Sequence, residues 1–194
     1  EISLGLVGSE MCIRDSLQRA YDQILHDVCM QNLHVIFAID RSGLVGADGE
    51  THQGIFDTAF LSHIPNLVIM APKNRYELTR AMEWAVAYDG PVAIKYARGQ
   101  AYYGLKDYNE PVEYGKSEIL REGSEIALVA VGNMVEETEK LYNRFLQKGR
   151  QVTFVNARFI KPLDKAMIDH LAESHKLIVT IEELSLIHIS EPTR

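Results

Sequence analysis

The sequence has no block of basic residues, no long apolar run and only two cysteines. Each lack closes off a class of protein. An electrostatic nucleic-acid footprint needs Lys and Arg clustered on one face, whereas here 20 basic residues are scattered among 27 acidic ones, for a formal net charge of -7. A membrane-crossing helix needs about 20 consecutive apolar residues, and no run approaches that. The start carries no charged-then-apolar signal pattern. Cys12 and Cys29 are too few for a disulfide framework or a zinc pattern, so a reducing, cytoplasmic compartment is the expectation. What is there is 46% hydrophobic and 24% charged, the composition of an ordinary globular chain. A chain of 194 residues suits one large domain or two small ones.

The two ends do not continue the patterns beside them. Residues 5–16 read GLVGSEMCIRDS and residues 184–194 read LSLIHISEPTR. One stretch of sequencing-adapter DNA would encode the first peptide and its complement the second. We read residues 1–16 and 184–194 as adapter-derived and set them aside from fold reasoning. Residues 17–183 are the interpretable protein.

Within that stretch, strands and helices alternate. Leu17, Ala20, Tyr21, Ile24, Leu25 and Val28 recur at helical spacing. Residues 35–39 form a short continuous apolar run, as expected of a strand covered on both faces. A Gly-rich polar loop follows over 40–54, then a short helix over 55–64 closed by Pro65, and a buried strand over 67–71. Asn74 offers an N-cap with Glu77 three residues on, as in a capping box, and its helix is expected to run to about Tyr88. Asp89-Gly90-Pro91 is a turn signal, and 92–96 reads as a third strand. Residues 98–114, rich in Gly, Tyr, Asp and Asn, have little periodicity and read as a loop and interdomain linker. Beyond them come a strand (125–131), an amphipathic helix (135–147) ended by Gly149, a strand (152–156), a helix (164–173) capped by Asp164, and a strand (177–181). The expected fold class is α/β, with mostly parallel sheets in two units.

In an open parallel sheet, ligands bind outside the carboxyl ends of the strands, and residues 40–54 leave such an end. Their four glycines allow tight turns and close backbone approach. Arg41 suits a phosphate through its planar, bidentate donors, and His52 can move protons near neutral pH. Composition alone favours a solvated surface loop with a turn-stabilising Asp. His34, His63, His170 and His175 match no site pattern and are assigned to surfaces or helix ends. Cys29, on a helix face, is assigned to packing.

The full loop, DRSGLVGADGETHQG, is more specific than its composition. It resembles the signature loop of the 1-deoxy-D-xylulose-5-phosphate synthase family, a branch of the transketolase-like thiamine-diphosphate enzymes. LQRAYDQ (17–23) resembles the family's preceding helix, and IPNLVIMAP (64–72) its following strand. Gly90-Pro91 and YARG (96–99) resemble the end of the same domain, except that Ala97 stands where the family usually has proline. The resemblance implies a pyrimidine-binding domain over 17–112, incomplete at its start, and a truncated transketolase C-terminal α/β domain over 113–183.

By that resemblance, the parent enzyme condenses pyruvate with glyceraldehyde 3-phosphate and releases carbon dioxide. The product serves isoprenoid, thiamine and pyridoxal precursor synthesis, and the family uses thiamine diphosphate and Mg2+ as a homodimer. Carried over by position, Arg41 and Arg98 grip the substrate phosphate. Asp48 and His52 contact the hydroxyl and carbonyl groups of the reactants, His52 in a proton-transfer role. Arg19 lies nearby with an orienting or structural part. These groups are expected to converge at the rim of the sheet. The family's catalytic glutamate, its cofactor-stacking aromatics and its diphosphate-binding domain have no counterpart here, so the chain alone is expected to be inactive. Two alternatives stay open: a fragment of a transketolase-type ketol transferase, whose loop shares the Asp-Gly-x-Thr-His ending, and a non-catalytic α/β binding module.

Overall fold

The computed structural model describes residues 14–45 and 53–183. The chain opens with helix α1 (Arg14–Arg19) and a π-helical segment (Gln23–Cys29). Then come β1 (Ile36–Ile39), α2 (Asp57–Ser62), β2 (Val68–Met70), α3 (Arg75–Ala87) and β3 (Val92–Lys95). An irregular stretch leads to β4 (Glu118–Arg121), β5 (Ile126–Ala130), α4 (Met134–Gln147), β6 (Val152–Asn156), β7 (Phe159–Lys161), α5 (Lys165–Ser174) and β8 (Leu177–Ile181). Helical periodicity over residues 17–30 is thus met by two pieces rather than one helix. The second winds wider than an α-helix, with Met30 N donating to Leu25 O at 2.8 Å and Leu33 N to Val28 O at 3.0 Å, five residues back in each case.

Two four-stranded sheets result, ordered β1-β3-β2-β7 and β4-β6-β5-β8. β1, β3 and β2 run parallel, as do β6, β5 and β8. β4 and β7 are the antiparallel edge strands, and neither stands out in the sequence. In β2 and β3 the side chains alternate between two apolar layers. Ile69 and Ala93 face Leu17, Ile24, Cys29 and Leu61. Val68, Met70, Val92 and Ile94 face Ala81 and Ala85 of α3. A strand covered on both faces must be apolar throughout, which explains the runs at these positions. The second sheet is covered in the same way by α4 and α5.

The caps follow the sequence. Asn74 Oδ1 accepts from Glu77 N at 2.8 Å, and Asp164 Oδ1 accepts from Met167 N at 3.1 Å, each satisfying an otherwise orphaned helix N–H. Gly149 ends α4 at φ 70°. Glu77 departs from a capping box: its carboxylate accepts from Lys73 N at 2.6 Å, one residue before the cap.

β7 crosses the expected boundary between the units. It lies beyond β6 in sequence yet completes the first sheet, Ile69 pairing with Lys161 and Met70 with Phe159. Phe159 joins the α3-side core. The Lys161 ammonium reaches Ser62 O at 3.0 Å and Ile64 O at 2.5 Å, where a cation meets the carbonyl end of α2 favourably. Burial lowers its pKa, opposed by the buried Cys29 thiol, whose own pKa burial raises.

Candidate active site

Arg41 and Arg98 follow the carboxyl ends of two neighbouring parallel strands. β1 and β3 are paired up to Ile39↔Lys95. The ladder is prolonged by Tyr96 N donating to Ile39 O and Ser42 N to Tyr96 O, both at 3.0 Å. Arg41 lies inside this prolonged ladder and Arg98 three residues past β3. The backbone thus brings both to one rim of one sheet.

Arg41 sits at φ 63°, a conformation that costs a non-glycine residue about 1–3 kcal/mol. Its amide donates to Asp40 Oδ1 at 2.6 Å, which helps hold the turn. The same Asp40 charge, added to burial, raises the pKa of Tyr96. Arg98 is exposed and is followed by Gly99 at φ 114°.

The loop between β1 and α2 is pinched at its neck. Gly43 and Gly54 exchange two backbone hydrogen bonds, of 3.3 and 2.6 Å. Gln53 closes the next layer, accepting from Val45 N at 2.7 Å and donating to Val45 O at 2.9 Å. A Cβ on Gly54 would lie 2.3 Å from Arg41 O and from Gly43 N, so only glycine fits this neck. The tip, residues 46–52, lies outside the described residues, and with it Asp48 and His52.

The second unit reaches the same neck. Glu183 accepts from Leu44 N at 3.3 Å and from Asn133 Nδ2 at 2.6 Å, linking the loop to the start of α4. A cavity of about 200 Å³ lies between the units, with Arg98, Lys95, Lys73 and Asn74 on one side and Asn133 and Glu136 on the other. Tyr102 spans it: its carbonyl accepts from Arg75 N at 3.2 Å and its hydroxyl donates to Glu139. Burial and that carboxylate together raise the Tyr102 pKa.

Arg19 ends α1 and is exposed, on a different element from the two strand-end arginines. His34, His63, His170 and His175 sit at surfaces or helix ends. His34 Nε2 donates to Ala85 O at 3.0 Å, His63 and His175 end α2 and α5, and His170 is exposed on α5. Among the described residues no group of three His, Cys, Asp or Glu side chains could hold a metal ion.

Lys95 was not foreseen. It is 1% exposed, and its ammonium donates to the buried Thr58 Oγ1 at 2.5 Å. The bond ties the end of β3 to the first turn of α2, the helix that follows the loop. The available signal was a lysine closing an apolar strand, Val-Ala-Ile-Lys, in a sheet covered on both faces.

Comparison with known proteins adds an independent line. Residues 10–102 match the transketolase pyrimidine-binding domain and residues 115–188 the transketolase C-terminal domain. The chain is 52% identical over 167 residues to the 1-deoxy-D-xylulose-5-phosphate synthase of Lachnoclostridium phytofermentans, and 46% identical over 167 residues to that of Clostridium tetani. Each alignment takes in 86% of this chain and 27% of the relative, so the chain spans about a quarter of their length. Among solved structures it is similar to one titled split gene transketolase, inactive beta4 tetramer. The TM-score is 0.80 at 26% identity, covering 89% of this chain and 55% of that one.

Proposed function

The chain belongs to the transketolase family, carrying its pyrimidine-binding domain followed by its C-terminal domain, and from that premise we propose that it is part of a 1-deoxy-D-xylulose-5-phosphate synthase. In this reading the parent joins pyruvate to glyceraldehyde 3-phosphate with loss of carbon dioxide, for isoprenoid, thiamine and pyridoxal precursor synthesis, as a cytoplasmic homodimer. One observation carries it: the loop DRSGLVGADGETHQG leaves β1 beside the end of β3, which leads to Arg98. The identities, 52% to a synthase against 26% to a transketolase, favour the synthase over the ketol transferase.

The chain's residues divide the work as follows. Arg41 and Arg98 bind the aldehyde's phosphate, each guanidinium offering paired donors to its oxygens. Asp48 orients the substrate hydroxyl. His52 moves a proton at the carbonyl oxygen that becomes the new hydroxyl, a role that imidazole fills near neutral pH. Arg19 lies near the site with a structural or orienting part. Holding the aldehyde in one pose removes the entropy of a bimolecular encounter. Thiamine diphosphate, when bound, supplies the electron sink for decarboxylation. By the family resemblance, the diphosphate and Mg2+ are held mainly by the rest of the parent.

Two measurements test the reading. The full-length parent should release carbon dioxide from pyruvate steadily only when glyceraldehyde 3-phosphate is supplied; equal turnover with a ketose donor and no pyruvate would make it a transketolase. The 194-residue chain, given pyruvate, glyceraldehyde 3-phosphate, thiamine diphosphate and magnesium, should show no turnover.

A further inference from the structure

The two units meet over a set of charges that the chemistry above does not use. Lys73, between β2 and α3, and Glu77, in the first turn of α3, belong to the first unit. Glu118 of β4, Asn156 of β6 and Arg158 just before β7 belong to the second. All five are at most 8% exposed. The Lys73 ammonium lies 2.6 Å from Glu118 Oε2 and 3.2 Å from Glu77 Oε1. Arg158 Nε lies 2.6 Å from Glu77 Oε1, and its Nη2 3.1 Å from Glu118 Oε1. Each cation therefore touches both carboxylates, and each carboxylate touches both cations. Asn156 Nδ2 fills the centre, donating to Glu77 at 2.9 and 3.1 Å and to Glu118 at 3.3 Å. The remaining Arg158 donors reach the linker, at Pro111 O (3.2 Å) and Glu110 O (3.3 Å).

Such an arrangement costs desolvation on four ions and is a poor way to gain stability alone; its better-attested use is to select one geometry among several. Here the geometry selected is the placement of the second unit against the first. Sliding either unit would leave buried charges unpaired. Arg158 also holds a left-handed backbone conformation, φ 57°, its amide donating to Asn156 Oδ1 at 3.3 Å. It stands where the chain leaves the second sheet to enter the first as β7. The cavity beside Arg98 has one wall at Lys73 and Asn74 and the other at Asn133 and Glu136, so the same placement sets its width. We propose that Lys73, Glu77, Glu118, Asn156 and Arg158 form an interdomain lock that fixes the two walls of this cavity. They act as positioning residues with no contact to substrate. The lock rests on these contacts alone and stands whether or not the synthase reading does.

The test is backbone hydrogen exchange by mass spectrometry on the full 194-residue chain, with Arg158→Met and Arg158→Lys. In Arg158→Met the amides of Lys73 and Arg75, which donate to Glu77 Oε2 and Tyr102 O, and of the first turn of α4 should exchange at least about tenfold faster, while the centre of β5 keeps its protection. Arg158→Lys, which keeps the charge but loses the fork, should fall between that variant and the parent. If Arg158→Met fails to fold, the pair Lys73→Met with Glu118→Gln removes one cation and one carboxylate, leaving Arg158–Glu77 as the one ion pair of the four, and should raise exchange at the same amides. Unchanged exchange in whichever variant folds, or acceleration spread evenly over both units, would overturn the proposal.

Discussion

The neck of the site loop and the seam between the units are built in opposite ways. At the neck, order comes from the main chain: two glycines exchange hydrogen bonds, a ladder is prolonged past its strands, and Arg41 is set in a left-handed turn. At the seam, order comes from side-chain charges that pair with one another: two cations, two carboxylates and one amide, all buried. The neck is held mostly by backbone bonds, to which the Gln53 and Asp40 side chains add short local ones. A seam made of ions has spent its charges on geometry. A charged residue's effect on stability and its effect on binding should therefore separate between the two regions.

The largest expected break is at the seam. Arg158→Met leaves Glu77 and Glu118 with Lys73 as their one cation among these five residues, and removing one partner of a buried pair costs about 3–5 kcal/mol. Denaturant unfolding of the 194-residue chain measures it. Next comes the neck. Gly54→Ala forces a methyl group into the space of Arg41 O and Gly43 N, and overpacking of this kind costs about 1–3 kcal/mol. The loss should appear in the same unfolding experiment and be accompanied by faster exchange at residues 43–45.

A gentler probe of the contrast is pH. Burial raises the Glu77 pKa, but Lys73 and Arg158 outweigh it through their charges and hydrogen bonds, so the net shift is downward from 4.5. A carboxyl depressed in the folded state contributes stability that is fully present above its unfolded value and is lost as pH falls through its folded value. Seam stability should therefore hold from neutrality down to about pH 4.5 and decline below it, and Glu77→Gln should flatten that decline. The smallest effect belongs to Arg98. Exposed and beyond the strand, it should change stability by no more than about 0.5 kcal/mol when replaced by Met.

The same contrast explains what could be read from the letters. The neck is local. Gly43, Gly54, Arg41 and Gln53 lie within fourteen residues, and the Asn74–Glu77 cap spans four, so composition and spacing report them. The α/β alternation was legible for the same reason, since buried parallel strands have to be continuous apolar runs. The seam is not local: Lys73 meets Glu118 45 residues away, and Glu77 meets Arg158 81 residues away. No periodicity encodes such a meeting, and Glu77 read as a capping residue because that is all its neighbours reveal. β7 escaped notice because Phe-Ile-Lys is three residues long and pairs with a strand about ninety residues earlier. Asp48 and His52 were singled out by the motif and lie outside the described residues, so their roles rest on the resemblance.

The central claim is that the charges at the rim serve a phosphate. It is tested most directly by the kinetics of Arg98→Met in the full-length parent, with each substrate varied in turn. The account predicts that KM for glyceraldehyde 3-phosphate rises roughly 10- to 100-fold, the cost of a charged hydrogen-bond partner, while KM for pyruvate is unchanged. Equal changes for both substrates, or none for either, would contradict it.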